Sequence, residues 1–239
     1  MTRLSVNINK VALLRNARGS NVPNLIQVAS DCESFGAEGI TVHPRPDQRH
    51  VRYDDIPLLR EVVTTEFNIE GNPDPDFLKL VLDNPPHQCT LVPDSPDQLT
   101  SDHGWDTLKN GGRLKEITAA LHEKGIRVSV FIDPIPAMIE GAKKAGVDRI
   151  ELYTGPFAHQ FSQNPTAAMA DYVEAAKKAN DLQLGINAGH DLNLENLRYF
   201  HENCPGLLEV SIGHALITDA LYFGLSNTIK MYLNLLRTP

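Results

Sequence analysis

The sequence has no apolar run near the roughly 20 residues that a membrane-spanning helix needs. Its three cysteines, Cys32, Cys89 and Cys204, form no CxxC pair, a pattern typical of reduced thiols in a cytosol rather than of a disulfide framework. Its 22 basic residues are outnumbered by 30 acidic ones, for a net charge of -8. This balance argues against a nucleic-acid or polyanion binder. We expect a soluble cytoplasmic protein, with no membrane partner, that binds anions only in a locally positive pocket.

Several sequence motifs of enzymes are also missing. No Gly-rich phosphate loop follows the first predicted strand, and neither GxSxG nor HExxH occurs. No Pro- or Ser-rich linker divides the chain, and 239 residues with 41% hydrophobic content suffice for one core of barrel size. We therefore predict a single domain over residues 1–239.

Short β-branched and apolar runs alternate along the chain with segments of helical periodicity. The predicted strands are 4–9, 39–43, 66–70, 88–92, 127–132, 149–153, 182–187 and 208–212. The predicted helices are 23–35, 53–63, 75–82, 113–124, 137–145, 165–179, 194–202 and 219–236. Segments 14–19 and 93–112 are predicted loops, the first basic and the second a long polar loop of the kind that often serves as a lid.

Eight alternating strand and helix units predict an α/β fold, a (β/α)8 TIM barrel. Two other architectures remain open at this point. A doubly wound open sheet also alternates, although it usually carries the phosphate loop that this sequence lacks. A helix counted wrongly as a strand would leave seven units.

The segment 39–50 joins a strand to a basic loop. Ile40 and Val42 alternate with polar neighbours, so one face of the strand can pack while His43 meets a pocket. Arg45 and His50 follow within the loop, where prolines stop the strand. These groups suit an anionic substrate handled by acid/base chemistry, although a solvated basic loop is an equally good interpretation of this segment alone.

In a barrel, side chains at the carboxyl ends of the strands converge on one site. The chain places chemically useful residues at or just after predicted strand ends: Asn7, His43, Glu70, Asn187, His190, Gly213 and His214. Each has an ordinary structural explanation, such as a turn former, a solvated strand end or the first residue of a helix. Any one of these residues could be merely structural, but it is much less expected that all of them are.

These residue types indicate proton transfer between bound anions. A carboxyl group drawn into a pocket, as at Glu70, can act as a general base, and histidines exchange protons near neutral pH. The small residues before His190 and His214 leave backbone N–H groups free for a phosphate. Arginines 18, 45 and 49 offer a second anion site. Two anion sites around a carboxylate and histidines suggest the joining of two phosphorylated small molecules.

A catalytic metal is a further interpretation of the same residues. His43, Glu70, His190 and His214 could supply two histidines and one carboxylate. No acidic cluster or recognised metal motif accompanies them, so we predict no metal. The three cysteines lie in apolar contexts that indicate packing rather than a nucleophile.

The motifs taken together resemble one family over nearly the whole chain, from about residue 4 to the final helix. They are VNIN from Val6, LRNARG from Leu14, GITVHxRxDxRH from Gly39, NIE from Asn68, LVP from Leu91, VSVFID from Val128, NAGH from Asn187 and IGH from Ile212. This set resembles the pyridoxine 5'-phosphate synthase family. Each motif is weak alone, and the combination is specific.

The resemblance implies a (β/α)8 barrel with extra helices, a homo-octamer, and no metal or organic cofactor. It implies condensation of 3-amino-2-oxopropyl phosphate with 1-deoxy-D-xylulose 5-phosphate, releasing phosphate and water. By the same resemblance, His43 and Glu70 are proton acceptors and His190 a proton donor. The implied substrate-binding residues are Asn7, Arg18, Gly213 and His214 for the aminoketone phosphate, and Arg45, His50 and Thr100 for the other substrate. Segment 93–112 would close as a lid.

The sequence departs from a common form of this family at three places. Asn9 and Lys10 replace an Asp-His pair, which alters contacts to the deoxyxylulose phosphate. Asp191, a further expected substrate-binding residue, stands where glycine is frequent, beside the expected phosphate, and Pro44 replaces a larger apolar residue. None of these touches the expected acid/base set, so we interpret the chain as a variant with the same reaction, and an altered substrate preference stays open.

Two functions of other classes stay open on sequence grounds. One is a metal-dependent barrel lyase or aldolase acting on a sugar phosphate, which EDTA would inhibit. The other is a phosphometabolite-binding protein without turnover, which ligands would stabilise while no product formed. The expected set of His43, Glu70 and His190 argues against the second.

Overall fold

The computed structural model describes residues 1–95 and 98–237, in which eight strands alternate with helices. The strands are β1 (Arg3–Asn7), β2 (Gly39–Val42), β3 (Glu66–Gly71), β4 (Gln88–Leu91), β5 (Arg127–Ile132), β6 (Arg149–Leu152), β7 (Gly185–Gly189) and β8 (Leu207–Ile212). The helices are α1 (Asn9–Asn16), α2 (Leu25–Ser34), α3 (Asp55–Val62), α4 (Pro75–Asp83), α5 (Thr107–His122), α6 (Pro136–Ala145), α7 (Gly155–Phe161), α8 (Pro165–Asp181), α9 (Leu197–Asn203), α10 (His214–Phe223) and α11 (Leu225–Leu235).

The strands form a closed parallel barrel in sequence order, with β8 paired to β1. Closure confirms the predicted (β/α)8 barrel with extra helices, and it excludes the open sheet and the seven-unit alternative. The predicted domain 1–239 includes residues 238 and 239, which lie outside the described residues. None of the described helices is long and apolar enough to span a membrane.

Strand alternation separates an apolar layer from a polar barrel interior. Val6 and Ile40 point outward and are fully buried beneath the helices. The intervening Ser5, Thr41 and Asn68 point inward, where Ser5 Oγ lies 2.7 Å from Thr41 Oγ1 and Asn68 Nδ2 donates to Thr41 Oγ1 at 3.4 Å. The interior is therefore held by hydrogen bonds at the level just below the carboxyl ends of the strands.

Charged side chains fill the other end of the barrel. The buried Glu66 carboxylate is paired with Arg127, with Arg3 at 3.4 Å and with Arg149 at 3.8 Å. Arg149 also lies 3.8 Å from the buried Glu209. This ion network fills the amino-terminal end of the barrel.

The three cysteines are all buried, in α2, β4 and the turn after α9. Burial raises the pKa of Cys32 and of Cys204 to about 12 and raises the pKa of Cys89 further. They pack as small apolar side chains, as the sequence predicted.

Several predicted boundaries are wrong around the first and last strands. The predicted strand 4–9 stops at Asn7, and the predicted basic loop 14–19 begins inside α1, whose first residue Asn9 is bound by the Asn7 side chain. The predicted strand 182–187 is shifted, because β7 runs from Gly185 to Gly189. The single helix predicted over 219–236 is two helices, α10 and α11, because Gly224 takes a φ of +76° between them.

One predicted helix begins earlier than expected, and one further helix replaces a predicted loop. Helix α5 begins at Thr107, capped by Asp106, so the predicted loop 93–112 ends six residues early. That predicted loop also includes residues 96 and 97, which lie outside the described residues. Helix α7 occupies the stretch expected to be a loop before residue 165, with a proline in its first turn, where a missing N–H is harmless.

Candidate active site

A cavity of about 610 Å³ opens at the carboxyl ends of the strands. Ten of the eleven residues predicted for the site line it: Asn7, His43, Arg45, His50, Glu70, Thr100, His190, Asp191, Gly213 and His214. The remaining one, Arg18, is exposed on the turn after α1 and is not part of this lining. The barrel therefore brings together residues from six strands and the loops that follow them.

The Asn7 side chain connects β1, α1 and β3. Its Oδ1 accepts from the N–H of Asn9 at 3.0 Å, and its Nδ2 donates to Glu70 Oε2 at 3.5 Å. Asn9 Oδ1 in turn accepts from the backbone N–H of His43 at 2.9 Å. The two asparagines thus fix the end of β2 beside the Glu70 carboxyl group.

Glu70 is half-buried near the end of β3, with its carboxyl group facing the cavity. Burial raises its pKa well above the ordinary glutamate value, and the nearby Glu151, Asp94 and Glu209 raise it further. Asn68 Nδ2 donates to Glu70 Oε1 at 3.5 Å, a long contact that stabilises the charge only weakly. A carboxyl group in this state accepts a proton readily, which is what a general base at neutral pH needs.

Glu151 is a second carboxyl group in the cavity, and it was not among the residues predicted from the sequence. It lies inward on β6, 4% exposed, and its Oε2 has no hydrogen-bond partner among the described residues. Burial raises its pKa to about 7, and the nearby His190 opposes that rise. The signal in the sequence was a charged residue at the centre of a strand whose neighbours Ile150 and Leu152 are apolar.

Two histidines that line the cavity, His43 and His50, are neutral at physiological pH. Burial lowers the pKa of His43 well below its ordinary value, and His50, Arg45 and Arg49 lower it further. Burial also lowers the pKa of His50 to about 4, helped by Arg45, Arg49 and Lys10. The rings of His43 and His50 meet edge to face with centroids 6.1 Å apart. A neutral imidazole can accept a proton, and the surrounding cations favour an anionic ligand.

Arg45 holds the segment after β4 over the cavity. It is 4% exposed, pairs with Asp94 at 2.9 Å, and donates to the carbonyl oxygens of Ser95 and Gln98. Ser101 Oγ also donates to Asp94, at 2.8 Å. The Nε of Arg45 is buried and has no hydrogen-bond partner among the described residues.

The loop that carries His50 is held by α1. Asn16 Nδ2 donates to the carbonyl oxygens of Arg49 and His50, at 3.1 and 2.7 Å. Arg15 forms a two-pronged pair with the buried Asp55 at 2.6 and 2.8 Å and also donates to His50 O. The sequence analysis took this part of the chain for a basic loop and did not foresee that it positions His50.

His190 lies in a tight turn after β7. Its φ of +37° is unusual for a residue with a side chain. Its Nδ1 lies 2.6 Å from Asp191 Oδ2, and its Nε2 lies 3.0 Å from Thr100 Oγ1. A Cβ on Gly189, just before it, would lie 2.1 Å from the carbonyl oxygen of Ser211, so only glycine lets β7 and β8 approach this closely.

The last strand leads directly into a helix that begins at the cavity. Gly213 precedes the first residue of α10, His214, and both line the cavity. A Cβ on Gly213 would lie 3.1 Å from the Asn7 side chain. The free N–H groups at the start of a helix of this length can bind a phosphate.

Metal ligands are not clustered in the described part of the chain. Among residues 1–95 and 98–237, no three His, Cys, Asp or Glu side chains are arranged to hold a metal ion. The four residues considered for a metal site, His43, Glu70, His190 and His214, therefore line one cavity without forming a ligand set.

The chain is similar to known proteins along nearly its full length. Residues 4–238 match the family model described as pyridoxal phosphate biosynthesis protein PdxJ. A Flavobacterium johnsoniae protein named pyridoxine 5'-phosphate synthase is 59% identical over 237 residues, 99% of this chain and 100% of that protein. A Bacteroides fragilis protein of the same name is 62% identical over the same shares of both chains. A solved structure of Mycobacterium tuberculosis tryptophan synthase, 13% identical with a TM-score of 0.65, covers 100% of this chain and 93% of its own, which shows a shared fold alone.

Proposed function

Since the chain belongs to the pyridoxal phosphate biosynthesis protein PdxJ family, and is thereby an enzyme that closes a ring in vitamin B6 synthesis, we propose its substrates and catalytic residues. Family membership confirms the resemblance seen in the sequence. The proposed reaction is the condensation of 3-amino-2-oxopropyl phosphate with 1-deoxy-D-xylulose 5-phosphate to give pyridoxine 5'-phosphate, phosphate and water.

This proposal rests on one cavity that is lined by the partly buried Glu70 carboxyl group, the uncharged His43 and the buried Glu151. Attack of an amine on a ketone gives an imine and releases water, which requires a proton to move onto the departing oxygen. Closing the ring then requires removal of a proton from carbon, which needs a base in a dry site. Glu70, with its raised pKa, fits that base.

The remaining proton transfers are assigned to His43, His190 and Glu151. His43 is neutral, because its pKa is lowered, and so it serves as a second proton acceptor. His190, on the other side of the cavity, is the proposed proton donor to leaving oxygen atoms. Glu151, with a pKa of about 7, can hold or release a proton at neutral pH and joins the set.

Two anion sites flank these groups. We assign the aminoketone phosphate to Gly213 and His214 at the start of α10, together with Asn7 and, from outside the cavity lining, Arg18. We assign the deoxyxylulose phosphate to the opposite wall, where Arg45, His50 and Thr100 lie beside Lys10. There the positive charges that lower the pKa of His50 would also stabilise a phosphate dianion.

The segment between β4 and α5 is the proposed lid. Arg45 and Asp94 hold it at one side, and Thr100 contacts His190 at the other. Trp105 anchors its end, because Nε1 donates to the carbonyl oxygen of Leu91 at 3.1 Å. A closed lid would keep water from hydrolysing the imine.

The experiment mixes the purified enzyme with both substrates, with and without EDTA. It follows pyridoxine 5'-phosphate by ultraviolet absorbance and released phosphate in parallel. We expect equal amounts of both, no effect of EDTA, and a kcat about 10²- to 10⁴-fold lower for Glu70→Gln. Glu116→Gln, an exposed change on α5, is the control and should match the wild type.

Other outcomes identify the alternatives. Substrate binding without a ring product would overturn the proposal in favour of a binding protein. Product that EDTA abolishes would indicate a metal-dependent enzyme.

We also propose that the chain works as a homo-octamer in the cytoplasm. Helix α10 leaves Leu221, Tyr222 and Phe223 exposed at 76%, 82% and 48%, a run of apolar surface suited to contact between subunits. The buried thiols suit a reducing compartment. Sedimentation analysis tests the assembly, and a monomer at micromolar concentration would overturn it.

A further inference from the structure

We propose that Asp191 is a positioning residue that holds His190 in one tautomer and stabilises its protonated form, so that the pair works as one proton-donating unit. The inference rests on the proposed role of His190 as proton donor. In this proposal the Asp191 carboxylate binds the His190 ring instead of contacting a substrate phosphate, as the sequence had led us to expect.

The geometry of the pair sets the position of the protons. An ionised carboxylate can only accept hydrogen bonds, so the 2.6 Å contact between Asp191 Oδ2 and His190 Nδ1 places a hydrogen on Nδ1. In the neutral ring, Nε2 is then the acceptor, and in the imidazolium it is a donor. The proton that the ring gains and loses is therefore the one on Nε2.

The second contact of the ring suits either state. Thr100 Oγ1 lies 3.0 Å from His190 Nε2, and a hydroxyl group can donate to the neutral ring or accept from the protonated one. Thr100 lies in the proposed lid and lines the cavity beside His190. The nitrogen that exchanges its proton thus faces the substrate side, while the fixed nitrogen faces Asp191.

The turn itself is built to keep the pair together. The buried Thr154 donates to Gly189 O at 2.5 Å and accepts from the N–H of Asp191 at 3.3 Å. Asn196 Nδ2 donates to Asp191 O at 3.3 Å. With its N–H and its carbonyl oxygen both bound inside the protein, Asp191 presents its side chain to His190. The left-handed φ of His190 is retained between these anchors, as strained residues at functional sites often are.

Other groups face His190 from the surrounding elements. Glu151 approaches from β6, His43 from the end of β2, and the Tyr153 ring lies edge to face with a centroid distance of 5.7 Å. Among the described residues, Asp191 is the carboxylate that hydrogen-bonds the His190 ring. Removing its charge should therefore destabilise the imidazolium directly, while the geometry of the other groups stays the same.

The test compares Asp191→Asn, which keeps size and hydrogen bonding but removes the charge, with Asp191→Glu, which keeps the charge. Asp148→Asn is the matched control, since Asp148 pairs with His122 at 2.8 Å away from the cavity. For each variant, kcat, KM and the pH profile of product formation are measured, with the melting temperature as a check on folding.

We expect kcat of Asp191→Asn to fall about tenfold, with KM for each substrate within about twofold. The alkaline side of its pH profile should move to lower pH, because the protonated ring has lost its negative partner. Asp191→Glu should recover most of kcat, and Asp148→Asn should keep the wild-type profile. Wild-type kcat and profile in Asp191→Asn, or a change in KM alone, would overturn the inference.

A readout without substrates separates this inference from the proposed function. Nitrogen-15 NMR of the ligand-free enzyme reports the tautomer of His190, assigned by the signals lost in His190→Gln. We expect the hydrogen on Nδ1 in the wild type and a mixture of tautomers in Asp191→Asn. If the wild type makes no pyridoxine 5'-phosphate, the function fails while this result still tests the pair. A hydrogen found on Nε2 of the neutral wild-type ring would overturn the pair whatever the activity.

Discussion

Asn16 Nδ2 lies 2.7 Å from the carbonyl oxygen of His50, which joins the end of α1 to the loop on the cationic wall of the active site. We predict that Asn16→Ala lets this loop move and raises KM for deoxyxylulose phosphate about threefold to tenfold, with kcat less affected. Steady-state kinetics measure the effect. Asn180→Ala removes a similar amide-to-carbonyl bond, to Pro205, away from the cavity, and should leave KM unchanged. Equal KM values in both variants would contradict the prediction.

The buried pair of Arg15 and Asp55 gives a prediction about stability. Asp55→Ala leaves the Arg15 guanidinium buried without its partner, which should cost about 3 kcal/mol of the free energy of unfolding. For a chain of this size, that lowers the melting temperature by about 6 to 12 °C. The exposed pair of Lys79 and Asp83 is the comparison, because Lys79→Ala there should change stability by less than about 0.5 kcal/mol. Similar losses in the two variants would show that burial of the pair matters little.

The close approach of β7 and β8 gives a prediction about packing. Gly189→Ala forces a Cβ against the Ser211 carbonyl oxygen and should destabilise the protein by about 1 to 3 kcal/mol. Gly112→Ala, in α5 with open space around the new methyl group, should instead stabilise by about 0.5 to 1 kcal/mol. Denaturant unfolding of both variants measures the difference. A stable Gly189→Ala protein would show that the two strands can separate without loss.

The buried Glu151 predicts how stability depends on pH. Its folded-state pKa, about 7, lies above the unfolded value, so the folded state binds more protons between these two values. Stability from this group is complete below the unfolded value and is lost as the pH rises through about 7. Glu151→Gln should therefore lessen the fall in melting temperature between about pH 5 and pH 8 without abolishing it, because Glu70 and Glu209 also have raised pKa values.

The control for this prediction is an exposed carboxylate. Glu140, whose pKa is lowered by its hydrogen bond to Lys178, titrates below this range. Glu140→Gln should leave the slope of melting temperature against pH unchanged. An unchanged slope in Glu151→Gln as well would mean that Glu151 does not titrate in this range.

The barrel was predictable because its strands alternate apolar and polar residues with a period of two. Helices have a different period, and the alternation of strands with helices recurs eight times. The shorter helices were not. Helix α1 has Leu13 and Leu14 exposed, which breaks the helical pattern, and α7 begins with a Gly-Pro pair that also begins many loops. Local sequence does not decide between these outcomes, and tertiary packing does.

The site was predictable where residues stand at strand ends, and much less so elsewhere. His43, Glu70 and His190 follow from the topology alone. Glu151 was missed because a polar residue within a strand is ordinary until the barrel closes and places it inside. The pairing of His190 with Asp191 depends on a left-handed turn, which the sequence around it does not specify.

Because all three native thiols are buried, they should react little with thiol-directed labels. With the pKa values of Cys32 and Cys204 raised to about 12, and that of Cys89 raised as well, little thiolate is available to react with a maleimide. A cysteine introduced in place of the exposed Leu99, within the proposed lid, would therefore be the main site that a maleimide fluorophore labels. The native chain thus permits optical recording of lid movement during turnover without first removing its own cysteines.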